Sequence, residues 1–272
     1  MEALTFIVKM NSLDESWQVV PLGDIHYGAL GCDEEKFLSV VKRISEGKNF
    51  LTIGMGDYVE NNGITGRNGS MNKHFDLDAI AKSGKKGLIS EQRRWIKQIW
   101  QPLIPKTIGM LIGNHEDRSM SHDEFKEMIT EPLGVNYLGD SAYINLVFTY
   151  RGKFVNNYTI LAQHSRFDTH THGTSINKAS SALQSWDFDV HLFGHTHFAL
   201  VDKLHRNYLD TIAETPRIAF RKAIIANTGA FLRANVEGVD SYTDKTIGNV
   251  NRDVGTITIT FEPKTGEFYG HV

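Results

Sequence analysis

Five short motifs in this chain carry side chains that can ligate a metal. They are Gly23-Asp24-Ile25-His26, Gly56-Asp57, Gly113-Asn114-His115-Glu116, the lone His164, and Gly194-His195-Thr196-His197. The mixture is carboxylate and amide oxygen with imidazole nitrogen, and it contains no thiolate. Such a donor set suits borderline divalent ions such as Mn, Fe, Zn or Ni rather than soft metals. The set is too rich for one ion and about right for two, and a pair of adjacent cations is a device for attacking phosphate esters. Asp24 and His26 stand two apart, as do His195 and His197, so on an extended chain each pair would present both side chains on one side. Asp57 has two oxygens and can bridge two cations, drawing them to within about 4 Å of each other. The glycine that opens four of the motifs removes a Cβ where backbone must come close, or allows a positive φ at a turn.

These residues need elements to position them. Extended runs are expected at Thr5–Met10 and Trp17–Leu22, the second feeding directly into Gly23-Asp24. Asp33 reads as the N-cap of a helix over Glu34–Glu46 closed by Gly47, with Phe37, Val40, Val41 and Ile44 on one face. A strand over Phe50–Met55 ends at Gly56-Asp57, and another over Thr107–Ile112 delivers Gly113-Asn114-His115. Between them lies a Gly-rich polar stretch, about 61–90, read as a long inserted loop, then a helix over Glu91–Leu103 with Ser90 as its cap. Ser121 with Glu124 forms a capping box that opens a helix to about Pro132. Ala142–Tyr150 and Phe154–Gln163 read as a hairpin about Arg151-Gly152-Lys153, the second strand ending at His164. A helix over Ser175–Trp186 precedes a strand over Val190–Phe193, which ends at Gly194-His195. Further strands are expected at Ala199–Leu204, Arg217–Asn227, Gly255–Phe261 and Glu267–His271. All five motifs thus follow the C-terminal end of a strand, where layered α/β proteins collect their ligands.

The bulk properties set limits. A length of 272 residues with 40% apolar content supports one sizeable α/β domain spanning 1–272. A net charge of -3 gives no overall basic footprint for tight nucleic-acid binding. The single cysteine, Cys32, excludes a disulfide framework within the chain and fits a reducing, cytoplasmic setting. No secretory leader or membrane span is legible, so no membrane association is expected, and no protein partner can be inferred.

The ordered motifs, over roughly residues 19–230, resemble the calcineurin-like metallophosphoesterase superfamily. The resemblance implies an α/β fold, a four-layer α-β-β-α sandwich of two mixed β-sheets flanked by helices. It implies a metal-dependent hydrolase acting on phosphate esters through hydroxide held by two divalent ions, with Mn favoured and Fe, Zn or Ni as alternatives. By the same resemblance Asp24, His26, Asp57 and His197 would hold one ion, and Asp57, Asn114, His164 and His195 the other. His115 would be catalytic, protonating the leaving alkoxide or contacting the phosphate together with Asn114. In the family's protein-phosphatase branch an acidic residue three places after the bridging aspartate hydrogen-bonds that histidine, which assigns Glu60 to orienting His115.

The chain departs from that branch. Where the branch carries Gly-Asp-x-Val-Asp-Arg-Gly, this chain continues Glu60-Asn61-Asn62-Gly63, and asparagine does not replace a phosphate-gripping arginine. The His195-Thr196-His197 pair is of the kind found in phosphodiesterase and nuclease branches. A phosphodiesterase acting on nucleotides or nucleic acid is therefore the expectation. The alternatives are a phosphomonoesterase or divergent Ser/Thr protein phosphatase, and a non-catalytic metal-binding scaffold. Arg166 and His172 lie just before the helix expected from Ser175 and are candidate substrate contacts at its N-terminus. Arg67, Lys73, Lys82, Lys85 and Lys86 make the long loop locally basic.

Overall fold

A computed structural model of the chain describes residues 1–60, 90–164, 171–211, 215–233 and 253–272, with only the backbone of His172. Arg166, the basic residues of the long loop and all of 61–89 lie outside the described residues.

Among the described residues eleven strands form two sheets. The first holds β1 (Glu2–Met10), β5 (Ser141–Tyr150), β6 (Lys153–Gln163), β7 (Val190–Phe193), β9 (Arg217–Thr228) and β8 (Ala199–Asp210), in that order. The second runs β11 (Glu267–His271), β10 (Thr258–Glu262), β2 (Trp17–Leu22), β3 (Phe50–Gly54), β4 (Thr107–Met110). Both are mixed. Each contains a parallel triplet, β2-β3-β4 in one and β6-β7-β9 in the other, flanked by antiparallel neighbours.

The alternation of apolar residues explains the layers. On β5, Ala142, Ile144, Leu146 and Phe148 point between the sheets and meet Leu51 and Ile53 of β3 and Ile259 and Phe261 of β10 in the central core. The residues of β2 that face away, Val20 and Leu22, join a second core under helix α1 (Glu34–Glu46) and the helix α2 over 90–100. Helix α1 forms where the spacing predicts it. Asp33 accepts from the Lys36 N–H at 3.1 Å, and Phe37, Val40, Val41 and Ile44 are its buried stripe. Burying a side chain such as Phe37 contributes about 1.5–3 kcal/mol. A thinner outer layer covers the first sheet: helix His172–Ser180 and the 3₁₀ turn Ser181–Gln184 lie against Leu161, Phe193, Ala223 and Ile225. Four layers, α-β-β-α, result.

Several boundaries differ from expectation, each for a physical reason. The helix expected over Glu91–Leu103 stops at 100 and tightens into a 3₁₀ segment, Gln101–Lys106, because Pro102 and Pro105 cannot continue the ladder. The helix after Ser121 passes through a wide π segment, Lys126–Thr130, just ahead of Pro132, and ends at Gly134 with φ 67°. Thr171, not a residue nearer Ser175, caps the later helix, which begins three residues early. The largest difference is β8. It continues past Leu204 to Asp210, because its polar second half pairs residue for residue with β9 as far as Asp210↔Arg217. Among the described residues no helix is long and apolar enough to cross a membrane.

Candidate metal centre

The two parallel triplets point their carboxyl ends to the same rim. Leu22 leads into Asp24, Gly54 into Asp57, Met110 into Asn114, Gln163 into His164 and Phe193 into His195. The loops there are not extended, contrary to the expectation for Asp24 and His26. Among the described residues seven non-glycine residues have positive φ, and five of them are Asp24 (48°), His26 (52°), Asp57 (50°), His195 (78°) and His197 (59°). An L side chain in that region costs about 1–3 kcal/mol and persists only where the surroundings over-determine it. The local strain thus falls on the residues whose chemistry drew attention in the sequence. Two glycines make the convergence sterically possible. Gly56 has φ +87°, and a Cβ on Gly113 would stand 2.1 Å from the Asp57 nitrogen.

The side chains meet in groups with acceptor atoms facing acceptor atoms. His164 Nδ1–H donates to the Met55 carbonyl at 2.8 Å, and a carbonyl only accepts, so in the neutral ring Nε2 keeps a lone pair. That lone pair faces Asn114 Oδ1 at 2.8 Å and Asp57 Oδ2 at 3.2 Å. His26 Nδ1–H donates to Glu60 Oε2 at 3.1 Å, which leaves its Nε2 facing His197 Nε2 at 3.1 Å. His197 Nε2 in turn lies 3.3 Å from Asp24 Oδ1. Asp57 Oδ2 is buried without a hydrogen-bond partner and stands 4.0 Å from nitrogens of His26, His115 and His195. Metal-ligating imidazoles commonly fix their other N–H on a carbonyl or carboxylate in this way. Asp24, His26 and His197 lie within one potential coordination sphere, as do Asp57, His164 and His195, and so do His26, Asp57 and His115.

The electrostatics agree with a demand for cations. Burial alone would raise the Asp57 carboxyl, yet His164 and His115 hold it well below the usual carboxylate range. Burial opposes charge on His164, but Asp57 and Asp24 push it up to about 10. His115 goes up to about 9 against its burial, through Asp57 and Glu60. Metal ions compete with protons for the same lone pairs and meet the same demand. The donor set therefore fits a pair of divalent ions.

Glu60 and His115 lie side by side, Oε1 to Nδ1 at 3.2 Å. Glu60 also holds His26, a contact that its place in the sequence does not signal. Glu116, the last residue of the third motif, is fully buried and ties the loops together. Its Oε2 accepts from the Asp57 N–H at 2.9 Å and the Gly113 N–H at 3.1 Å, and its Oε1 from the Val59 N–H at 3.1 Å. A glutamate at the third position of a helical turn, reaching back to the residue before it, was the available signal. Glu116→Ala leaves those buried donors without their acceptor, at about 1–3 kcal/mol each. We expect a loss of about 3–5 kcal/mol in urea unfolding, and a loss under about 1 kcal/mol would show that the loops hold without it. His172 begins the helix that Thr171 caps, and its side chain lies outside the described atoms; Arg166 lies outside the described residues altogether.

The family model for calcineurin-like phosphoesterase matches residues 18–199. No curated protein matches the chain. Among solved structures, a conserved uncharacterized protein of Streptococcus pneumoniae, described as a predicted phosphoesterase, shares 12% identity at a TM-score of 0.38, over 91% of this chain and 84% of that one. Wild-type Vps29 complexed with Zn from Entamoeba histolytica shares 11% identity at a TM-score of 0.38, over 93% of this chain and 97% of that one. The family match takes in all five motifs and both parallel triplets but the last strand of the second: the chain belongs to the calcineurin-like phosphoesterase family.

Proposed function

We propose that the chain is a di-metal phosphoesterase, and within that class a phosphodiesterase. The observation that carries it is the convergence of buried donor atoms on His164, Asn114 and Asp57, and on His26, His197 and Asp24, an arrangement that two divalent cations would relieve. Asp24, His26, Asp57 and His197 would hold one ion, and Asp57, Asn114, His164 and His195 the other, with Mn as the first metal to test. Bound there, two divalent cations would lower the pKa of a water and offset charge on the phosphoryl oxygens.

The chain's own residues supply the rest. His115, lifted by Asp57 and Glu60, holds a proton to give to the leaving oxygen. Glu60 anchors His115 and His26 at once and so couples the proton donor to the ligand shell. Asn114 contributes an amide oxygen without adding charge. Purified protein loaded with Mn should hydrolyse bis(p-nitrophenyl) phosphate faster than p-nitrophenyl phosphate; the reverse order would move the reading to a monoesterase.

Glu60→Gln tests the coupling. A neutral amide no longer supports the charged imidazole, so His115 gives up its proton at lower pH. The rate should fall about 10–100-fold, and the alkaline limb of the pH–rate profile should move to lower pH. An unchanged limb would retire the role of Glu60.

A further inference from the structure

The paired end of β8 and β9 runs out beyond the second sheet. Val201, Ile224 and Ala226 face the core between the sheets, and Lys222 closes it with its ammonium 4.4 Å from the Phe268 ring. Beyond Lys222 the same face carries Phe220, Ile218 and Leu209, with Leu209↔Ile218 and Asn207↔Phe220 as cross-strand pairs. These apolar residues are 70%, 78% and 60% exposed, and Tyr208 on the other face is 50% exposed. A contiguous apolar surface of this kind on a soluble domain marks an interaction site. Among the described residues β8 pairs with β9 alone and is an edge of its sheet. At 12 residues it is long for a strand, and it has no proline to block a further partner.

We propose that this edge is the interface of a homodimer, with β8 pairing antiparallel to β8 of a second copy about a two-fold axis normal to the sheet. Such an axis keeps each face on its own side, so odd-numbered residues oppose odd and even oppose even. Charge then selects the register. Centring on Lys203 sets lysine against lysine, and centring on Arg206 sets arginine against arginine and Asp202 against Asp210. Centring on Leu204 sets Asp202 against Arg206 twice over, where Arg206, already paired with Asp187 of its own chain, would bridge the two carboxylates, and it opposes no like charges on the strands. That register also places Leu209 opposite Ala199 and Asn207 opposite Val201 of the second copy. Val201 lies against Gly270 of β11, so each apolar arm is carried toward the β11 edge of the other copy, where Val272 is 67% exposed. One arrangement thus satisfies the open strand edge, the charges and the bare arm.

Sedimentation equilibrium of the full chain tests it. The wild type should be dimeric at micromolar concentration. Asp202→Arg, at a residue whose carboxylate accepts from the neighbouring Lys203 N–H, should raise the dimer dissociation constant about tenfold or more by opposing arginine to arginine. Adding Arg206→Asp to that variant should restore the dimer. Leu204→Cys should form an intermolecular disulfide on oxidation far more readily than Lys203→Cys, which faces His205. A wild type that stays monomeric at its highest soluble concentration overturns the proposal. So does a dimer indifferent to Asp202→Arg, or one without the Leu204→Cys cross-link.

Discussion

Asp57→Asn is expected to abolish turnover and reduce the bound metal from two ions per chain to one or none. The substitution keeps the side chain's size and its Oδ1, which accepts from the His115 N–H at 2.8 Å and helps hold the loop. It replaces the orphaned Oδ2, the atom that four histidines surround. Charge stabilisation by the metals is worth several kcal/mol of the barrier, so the rate should drop about 10³-fold or more. The measurement pairs elemental analysis of metal content with hydrolysis of bis(p-nitrophenyl) phosphate, on protein shown by circular dichroism to be folded. Two ions retained, with activity within a factor of ten of wild type, would remove Asp57 from the bridging position.

The second large effect is expected from His115→Ala. Geometry alone does not separate His115 from the ligands, because its Nε2 lies 4.0 Å from Asp57 Oδ2, as far as the nearest nitrogens of His26 and His195. Glu60 holds Nδ1 of both His115 and His26, but His26 Nε2 also faces a second candidate ligand, His197, at 3.1 Å, whereas His115 is pushed up to about 9 and is suited to carry a proton. A general acid contributes about 10²–10⁴-fold. The variant should lose that much in kcat and keep both metals. Substrates with a good leaving group, which need little protonation, should lose less than those with a poor one. A drop in metal content by one ion would instead make His115 a ligand, and equal losses across leaving groups would argue against proton transfer.

The expectations carried by side-chain type and period survive folding well. Helix α1 occupies Glu34–Glu46, because a cap, an apolar stripe and a terminal glycine all act within a few residues of one another. Each of the five motifs follows a strand, because a short apolar run ending at glycine is a local signal. What escaped was non-local. The second half of β8 alternates weakly and reads as polar, and only its partner strand makes it a strand. Glu116 looks like a surface residue of a helical turn until the Asp57 and Val59 amides are found against it.

The sequence by itself determined which atoms could bind cations and at which strand ends they would stand, since donor chemistry and hydrophobic period are properties of single residues and their near neighbours. Only the tertiary structure decided how those atoms face one another. Left-handed turns at Asp24, His26, Asp57, His195 and His197 are unfavourable in isolation and hold because two packed sheets fix both ends of every loop. The facing lone pairs, the double grip of Glu60 and the buried tie of Glu116 likewise join residues remote in the chain. No local propensity encodes such contacts; they arise from burial and hydrogen bonding across the rim where the sheets meet.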